Sequence, residues 1–393
     1  MDPGSRPETP WWAVIDVGLH LMRGLRRGPL RFALSLASVG TALALVLLFE
    51  GFRAGLYEQL RQFPEQLPVD LIVTQRGVEN MAGARSTLPQ VARAQVEAVH
   101  GVVSAHPMTG IPLIYTADNG DTSPIMVVAY DGVGGPNKLV AGRRPSAERE
   151  LVIDRSLAAK FDLSVGDVVD VLGSEFELVG VADGAAAMFT PFVFARYDDL
   201  VLAYVEGAFE DAGFDPPILG YLLVELQPTA DVAVMQARIR KEVAGIDVWT
   251  PAQVAAADLR MGRRMMDPVM GVLVGVAYAM AVLIIGLTTY ASVLDRRREY
   301  AIMKAMGART VRLAAQLVLE SILLCTLGLG LAAVAAAVAA IAVESVAPEF
   351  IVLPLEPEVM ARSGAGALLV ALFGIIAPIW RIGRVDPALA FRS

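Results

Sequence analysis

Cysteine is almost absent from this 393-residue sequence, and its single copy, Cys325, excludes an intramolecular disulfide. Any large domain must therefore be stable through its own apolar core. Lysine is scarce as well. None of Lys138, Lys160, Lys241 and Lys304 follows a glycine and precedes Ser or Thr, so the phosphate-cradling loop of P-loop ATPases is missing. The three histidines, His20, His100 and His106, and one cysteine are too few for a His/Cys zinc site to be expected. His100 and His106 flank Gly101-Val102-Val103, read as a turn, and are taken as satisfied surface residues. No Gly-x-Ser-x-Gly elbow occurs; Gly173-Ser174 and Val165-Gly166-Asp167 read as turns between short strands. Asp198-Asp199 reads as the first turn of a helix, where acidic charge favours the dipole, rather than as a carboxylate pair for catalysis. No catalytic set emerges, and the chain is not expected to be an enzyme.

What is plentiful is apolar sequence: 55% of residues, with a mean hydropathy of +0.53. It is concentrated in four uncharged runs, Phe32 to Phe49, Pro268 to Leu294, Ser321 to Val343 and Ser363 to Trp380. Each has the roughly 18 or more residues that a helix needs to cross a hydrocarbon core of about 30 Å. Arginine and lysine cluster before the first run (Arg23, Arg26, Arg27, Arg31), between the second and third (Arg296, Arg297, Arg298, Lys304, Arg309, Arg312) and after the fourth (Arg381, Arg384, Arg392). Retention of basic flanks on the cytosolic side puts both termini and the 295–312 loop in the cytosol and the 52–266 segment outside. That segment carries 28 acidic against 18 basic residues, in a chain of net charge −8. Such a balance argues against nucleic acid as a partner. The first run reads as a retained anchor rather than a cleaved signal, because Phe49-Glu50-Gly51-Phe52-Arg53 has no small-x-small site.

The expected organisation is an α+β membrane protein with four transmembrane helices and a large α+β extracytoplasmic domain on a two-helix stalk. The expected divisions are a cytosolic amphipathic segment (1–30), a first span (31–51), the outer domain (52–266), a second span (267–294), a cytosolic loop (295–312), a third span (313–343), an outer loop (344–362), a fourth span (363–380) and a cytosolic tail (381–393). Apolar residues Trp11, Ile15, Leu19, Met22 and Leu25 suggest a helix lying on the membrane surface. Helical character continues from Gly51 to Phe63 and is broken by Pro64 to Pro68. Strands are predicted at Val69–Thr74, Ile111–Thr116, Ile125–Ala129, Val168–Leu172, Glu175–Val181, Pro191–Ala195, Tyr221–Leu226 and Ile246–Trp249. Helices are predicted from Thr87 to Val99, Arg155 to Phe161 and Asp231 to Val243, and a last one from Pro251 straight into the second span. Phe189, Phe192 and Phe194 read as core strand positions rather than a cargo groove.

The loop Asp295-Arg296-Arg297-Arg298-Glu299-Tyr300-Ala301-Ile302-Met303-Lys304-Ala305-Met306-Gly307-Ala308-Arg309-Thr310 is the most informative stretch. A basic run is followed by Tyr300, Ile302, Met303 and Met306, read as one short apolar face, and Gly307 can end the helix in a left-handed cap. Topology alone explains the arginines, but an exposed apolar face needs membrane lipid or a protein to cover it.

Here the sequence resembles the permease subunits of the MacB/FtsX-like family of ABC transporters, with Met306 where the family usually has Leu. Glu320 at the start of the third span and the ending Val385-Asp386-Pro387-Ala388-Leu389-Ala390 extend the match. Ala141-Gly142-Arg143-Arg144-Pro145, Glu150-Leu151-Val152-Ile153 and Leu163-Ser164-Val165-Gly166-Asp167 look like the family's periplasmic core domain.

The resemblance implies a homodimer, or a heterodimer with a similar permease, bound to separate ATPase subunits that hold ATP and Mg, with a periplasmic adaptor in some systems. It implies location in the bacterial inner membrane and no cofactor in this chain. By it, Arg296, Arg297, Arg298, Glu299, Ile302, Met303, Lys304, Met306 and Gly307 form an ATPase-coupling helix. The resulting function is export or extraction of envelope cargo such as lipid, lipoprotein, peptide or drug. A mechanotransmission receptor that senses an external ligand or regulates an envelope hydrolase is the alternative. Glu320 is either a support for the cytosolic end or a participant in coupling, since a carboxylate inside a bilayer is costly.

Overall fold

The computed structural model describes residues 29–117, 119–171, 173–184, 186–187, 189–206 and 218–383. The surface helix expected over Trp11 to Leu25 and the ending Val385 to Ala390 lie outside them. The chain divides into a sheet unit, 55–268 with 343–352, and a helical unit made of the remaining segments.

The sheet unit contains β1 (Leu71–Gln75), α2 (Val91–Glu97), β2 (Val102–Thr116), β3 (Thr122–Tyr130), β4 (Leu139–Gly142), β5 (Glu150–Asp154), α3 (Arg155–Phe161), β6 (Val168–Val171), β7 (Ser174–Ala182), β8 (Ala186–Ala187), β9 (Thr190–Arg196), α4 (Tyr197–Val205), β10 (Tyr221–Leu226), α5 (Val232–Glu242) and β11 (Ile246–Trp249). The helix α1 (Pro29–Glu65) precedes them. The strand order is β11-β1-β10-β2-β3-β9-β5-β7-β4, with β6 on β7 and β8 on β9. The β3–β9 and β5–β7 pairs are parallel and the others antiparallel.

Both faces of the sheet are covered, which explains strands that are apolar at nearly every position. In β1, Leu71 and Val73 face α2 and α5, while Ile72 faces the opposite layer, as the two-residue period requires. On the first side, Ile125, Val127 and Ala129 of β3 join Leu157 of α3 and Leu200 of α4. On the second, Val128 and Tyr130 meet Phe192 and Phe194 together with Phe63 and Val254. Phe63 and Phe192 stack edge to face at 4.9 Å.

The Ala141–Pro145 and Glu150–Ile153 motifs form one lock. Glu150, 5% exposed, accepts the Ser146 and Ala147 amides at 2.7 and 2.9 Å and is gripped by both terminal nitrogens of Arg143. The Arg143 guanidinium and those amides hold its carboxyl well below the usual carboxylate range. Gly142 has φ +74°, and a Cβ there would collide with the Val179 carbonyl, so glycine is required twice over.

Several sequence expectations need correction. Val102 begins β2 rather than completing a turn, and His106 lies inside that strand with Nε2 2.9 Å from Ser104 Oγ. Only Gly101, at φ +107°, turns the chain. The short strand β4 was not expected, because Leu139–Gly142 is mostly exposed and lacks alternation. As expected, α1 ends within the Pro64 to Pro68 stretch, at Glu65: Pro64 has no amide to donate to the Leu60 carbonyl, and Pro68 follows.

In the helical unit, α6 (Pro251–Asp295), α7 (Arg297–Ala305), α8 (Thr310–Val346), α9 (Pro357–Gly374) and α10 (Ile376–Gly383) follow. Four helices are long and apolar enough to cross a membrane, with mean hydropathy from 2.0 to 2.5 in their most apolar windows. The buried stripe of α8 runs through Ser321, Cys325, Gly328, Ala332 and Ala336, small residues that let helices approach closely. Gly328 faces Val39 of α1, and Ser321 Oγ donates to the Ala371 carbonyl of α9 at 3.2 Å. The last of the four long apolar helices, Pro357–Gly383, is interrupted only at Ile375, where α9 passes to α10, because Pro378 has no amide to donate to the Gly374 carbonyl. At one end of the bundle Glu50, 5% exposed, pairs with Arg53 at 2.7 Å and Arg362 at 3.2 Å.

At about 1.5 Å per residue, the 45 residues of α6 run about 67 Å, more than twice a hydrocarbon core. The excess belongs to the sheet unit, as does the end of α1. There the two helices lie side by side: Tyr57 donates to Asp267, Arg263 sits over the Tyr57 ring at 5.6 Å, and Gly262 makes room for Leu60.

Candidate functional site

The loop between α6 and α8 folds into the nine-residue helix α7, held at both ends by local chemistry. Glu299 stands in its first turn, where a negative charge suits the exposed amides. At its other end Gly307, with φ +90°, donates to the Lys304 carbonyl at 3.0 Å, and Ala308 donates to the Met303 carbonyl at 3.0 Å. This is the Schellman arrangement, completed by the apolar contacts of Met303 and Ala308 with one cluster. The left-handed cap expected at Gly307 is present.

The apolar residues of α7 do not form one face. Tyr300 and Ala301 are buried, and Tyr300 and Met303 pack with Val293, Leu313, Leu317 and Ile382. Burial pushes the Tyr300 hydroxyl up to about 12, with the nearby Glu320 charge adding to it. Ile302 and Met306 point the other way, 47% and 75% exposed. With Arg298, Ala305 and Arg309, which are also exposed, they make a surface in which two apolar side chains are bracketed by guanidinium groups. Arg297, Glu299 and Gly307 are exposed as well.

Two of the basic residues face inward. Lys304 Nζ donates to the carbonyls of Ile382 and Gly383 at 2.7 and 3.0 Å, the last turn of α10. An ammonium on two backbone carbonyls is a charge-assisted contact that ties α7 to α10. Arg296 Nη1 lies 3.5 Å from Glu320 Oε1, which ties the start of α7 to α8. Sequence reasoning placed Lys304 and Arg296 in the loop but had no signal for these partners, which come from helices 24 and 78 positions away. The structure therefore separates the set into positioning residues (Arg296, Tyr300, Met303, Lys304, Gly307, Glu320) and an outward surface (Arg297, Arg298, Glu299, Ile302, Met306).

Elsewhere, Asp198 and Asp199 do occupy the first turn of α4, with Asp199 buried and accepting the Arg149 amide at 3.2 Å. Phe192 and Phe194 are core residues, as expected, while Phe189 stacks on Phe350 at 4.7 Å. Among the described residues, no group of three His, Cys, Asp or Glu side chains is placed to hold a metal ion.

Comparison with known proteins bears on the whole chain. Residues 33–242, more than half of the sequence, match the MacB-like periplasmic core domain, and residues 271–387 match the FtsX-like permease C-terminal region. An uncharacterized ABC transporter permease of Mycobacterium tuberculosis (strain H37Rv) is 26% identical over 370 residues, covering 92% of this chain and 95% of the relative. A second permease from that strain is 24% identical over 362 residues, with the same coverage of both chains. Among solved structures, the periplasmic region of MacB from Actinobacillus actinomycetemcomitans covers 49% of this chain and 94% of that one, at 11% identity and a TM-score of 0.36. The extracellular domain of the ABC-type transporter YknZ from Gram-positive bacteria covers 46% and 100%, at 11% identity and a TM-score of 0.34.

Proposed function

Because this chain belongs to the family of ABC transporter permeases with a MacB-like periplasmic core domain and an FtsX-like C-terminal region, we propose that α7 is the surface on which a separate ATPase subunit docks. Ile302 and Met306 fill an apolar groove on that subunit, and Arg297, Arg298 and Arg309 meet its carboxylates. The observation that carries this reading is a short helix with its inner face locked by Tyr300, Lys304 and Arg296 while its outer face leaves two large apolar side chains uncovered.

A helix anchored in this way transmits force instead of rocking on its own. Docking energy enters α6 and α8 through the α7 flanks, and α6, which runs from Pro251 to Asp295 with Pro268 inside it, carries residues of both units. Closure of two ATPase subunits around ATP and Mg would in this way move the sheet unit on the far side of the cytoplasmic membrane, as a two-state machine biased from both ends. The permease acts as a homodimer or with a similar permease. Val269, Val272, Val276, Leu283 and Leu287, a stripe of exposed apolar residues on α6, supports a helical neighbour or lipid there. The work done is export or extraction of envelope cargo. Co-purification with the cognate ATPase tests this reading: loss of the complex on replacing Ile302 and Met306 by Asp supports it, and an unchanged complex rejects it.

A further inference from the structure

A cavity of about 470 Å³ opens inside the sheet unit, between the inner face of the sheet, the end of α1, the 81–86 loop and α6. Its volume falls in the range of small-molecule sites. The lining is largely apolar: Met81, Met108 and Met126 contribute flexible thioethers, and Phe63 and Phe192 contribute rings. Methionine-rich walls adapt to varied apolar shapes.

One feature of the wall is not apolar. Asp258, on α6, lines the cavity and is only 1% exposed. Its Oδ1 accepts the amides of both Met81 and Ala82 at 2.9 Å, whereas Oδ2 accepts no hydrogen bond from any described residue. Burial raises this carboxyl to about 6 in spite of those two amides. At neutral pH it is therefore ionised against a desolvation penalty that a cation in the cavity would offset. The other charged lining residue, Arg85, is exposed. Tyr221, also in the wall, is held as a neutral phenol and donates to the Ala84 carbonyl at 3.3 Å. Around the site, the 52–266 segment has ten more acidic than basic residues, which concentrates cations near it.

We propose that this cavity binds a hydrophobic amine, its apolar or aromatic body between Met108, Met126 and Phe192 and its protonated nitrogen on Asp258 Oδ2. A carboxylic acid would set a second negative charge beside Asp258, and a neutral amphiphile would leave the buried charge uncompensated. The site stands on the sheet unit alone and is independent of the ATPase docking proposed above.

The test uses the full chain in lipid nanodiscs, with 4-phenylbutylamine and its neutral counterpart 4-phenylbutanol titrated calorimetrically and empty nanodiscs subtracted. At pH 7.5 the amine is expected to bind saturably and at least tenfold more tightly than the alcohol. Asp258→Asn keeps an acceptor for the Met81 and Ala82 amides and is expected to abolish that preference. Met126→Trp, which fills the cavity, is expected to remove binding of both probes. Lowering the pH to 5 is expected to weaken amine binding to the unmodified chain about tenfold and leave the alcohol unchanged, so the result does not depend on the Asn variant folding. Equal affinity for the two probes at pH 7.5, a preference that survives Asp258→Asn, or binding that survives Met126→Trp would each overturn the proposal.

Discussion

Shortening the two exposed apolar side chains of α7, in Ile302→Ala with Met306→Ala, should weaken ATPase capture without unfolding the permease. Complete burial of an Ile or Met side chain is worth about 1.5–3 kcal/mol. Ile302 and Met306 have 47% and 75% of their surface open to be covered by a partner. Together they can supply about 2–4 kcal/mol, and at about 1.4 kcal/mol per factor of ten this is a loss of about 30-fold to several hundred-fold in affinity. Met303→Ala is the control with the opposite signature. Met303 packs inward with Tyr300 and Leu313, so its loss should lower the stability of the helical unit by about 2 kcal/mol or more before it alters docking. The assay is a titration of the cognate ATPase onto nanodisc-held permease, read by surface resonance, with a melting curve of each variant. Docking that is insensitive to the double variant, or more sensitive to Met303→Ala at equal stability, would refute the assignment of faces.

Three further outcomes follow from named contacts. Lys304→Ala removes an ammonium from the Ile382 and Gly383 carbonyls of α10, so hydrogen exchange of the 376–383 amides should accelerate about tenfold, with ATPase coupling reduced as well; Lys304→Arg should restore part of both. Glu150→Gln should destabilise the sheet unit by about 1–2 kcal/mol, because the Ser146 and Ala147 amides lose a charged acceptor. Since the folded Glu150 carboxyl lies below its unfolded value, its contribution is present above the ordinary carboxylate range and lost as pH falls beneath it. Acid melts of the parent should show that loss, and melts of the Gln variant should not. For Asp258 the sign is reversed. A folded value of about 6, above the unfolded one, means that stability declines as pH rises from about 4 to 6, by about 3 kcal/mol. Asp258→Asn should flatten that slope in pH-dependent unfolding of the full chain.

The spans were legible because a bilayer demands long uncharged helices, and no other structure explains four such runs in one sequence. The strands at Tyr221–Leu226 and Ile246–Trp249 and the helix Arg155–Phe161 were legible to the residue, each being bounded by turn or capping residues such as Gly220, Gly245 and Asp154. The first half of β2 was not, because Val102–Met108 carries Ser104, His106 and Pro107 among its apolar residues and shows no clean alternation. Only its partner β10, more than 100 residues away, makes it a strand. In the candidate site, Gly307 and the amphipathic character of α7 were readable locally. Which face was buried was not. Tyr300 with Met303 and Ile302 with Met306 offer two equally apolar stripes, and the choice between them is made by Leu313, Leu317 and Ile382 from other helices. Asp258 gave no local signal either, since one carboxylate before a basic stretch in a long helix looks like an ordinary solvated residue.

The proposed function requires the 295–312 loop to lie in the cytosol and the 52–266 segment outside it. Cysteine labelling tests it most directly, with Cys325→Ser removing the buried native thiol and single cysteines placed at exposed Ala305 and Asp167. On intact spheroplasts a membrane-impermeant maleimide should label Asp167→Cys at once and Ala305→Cys only after permeabilisation. Labelling of both sites in intact cells would contradict the account.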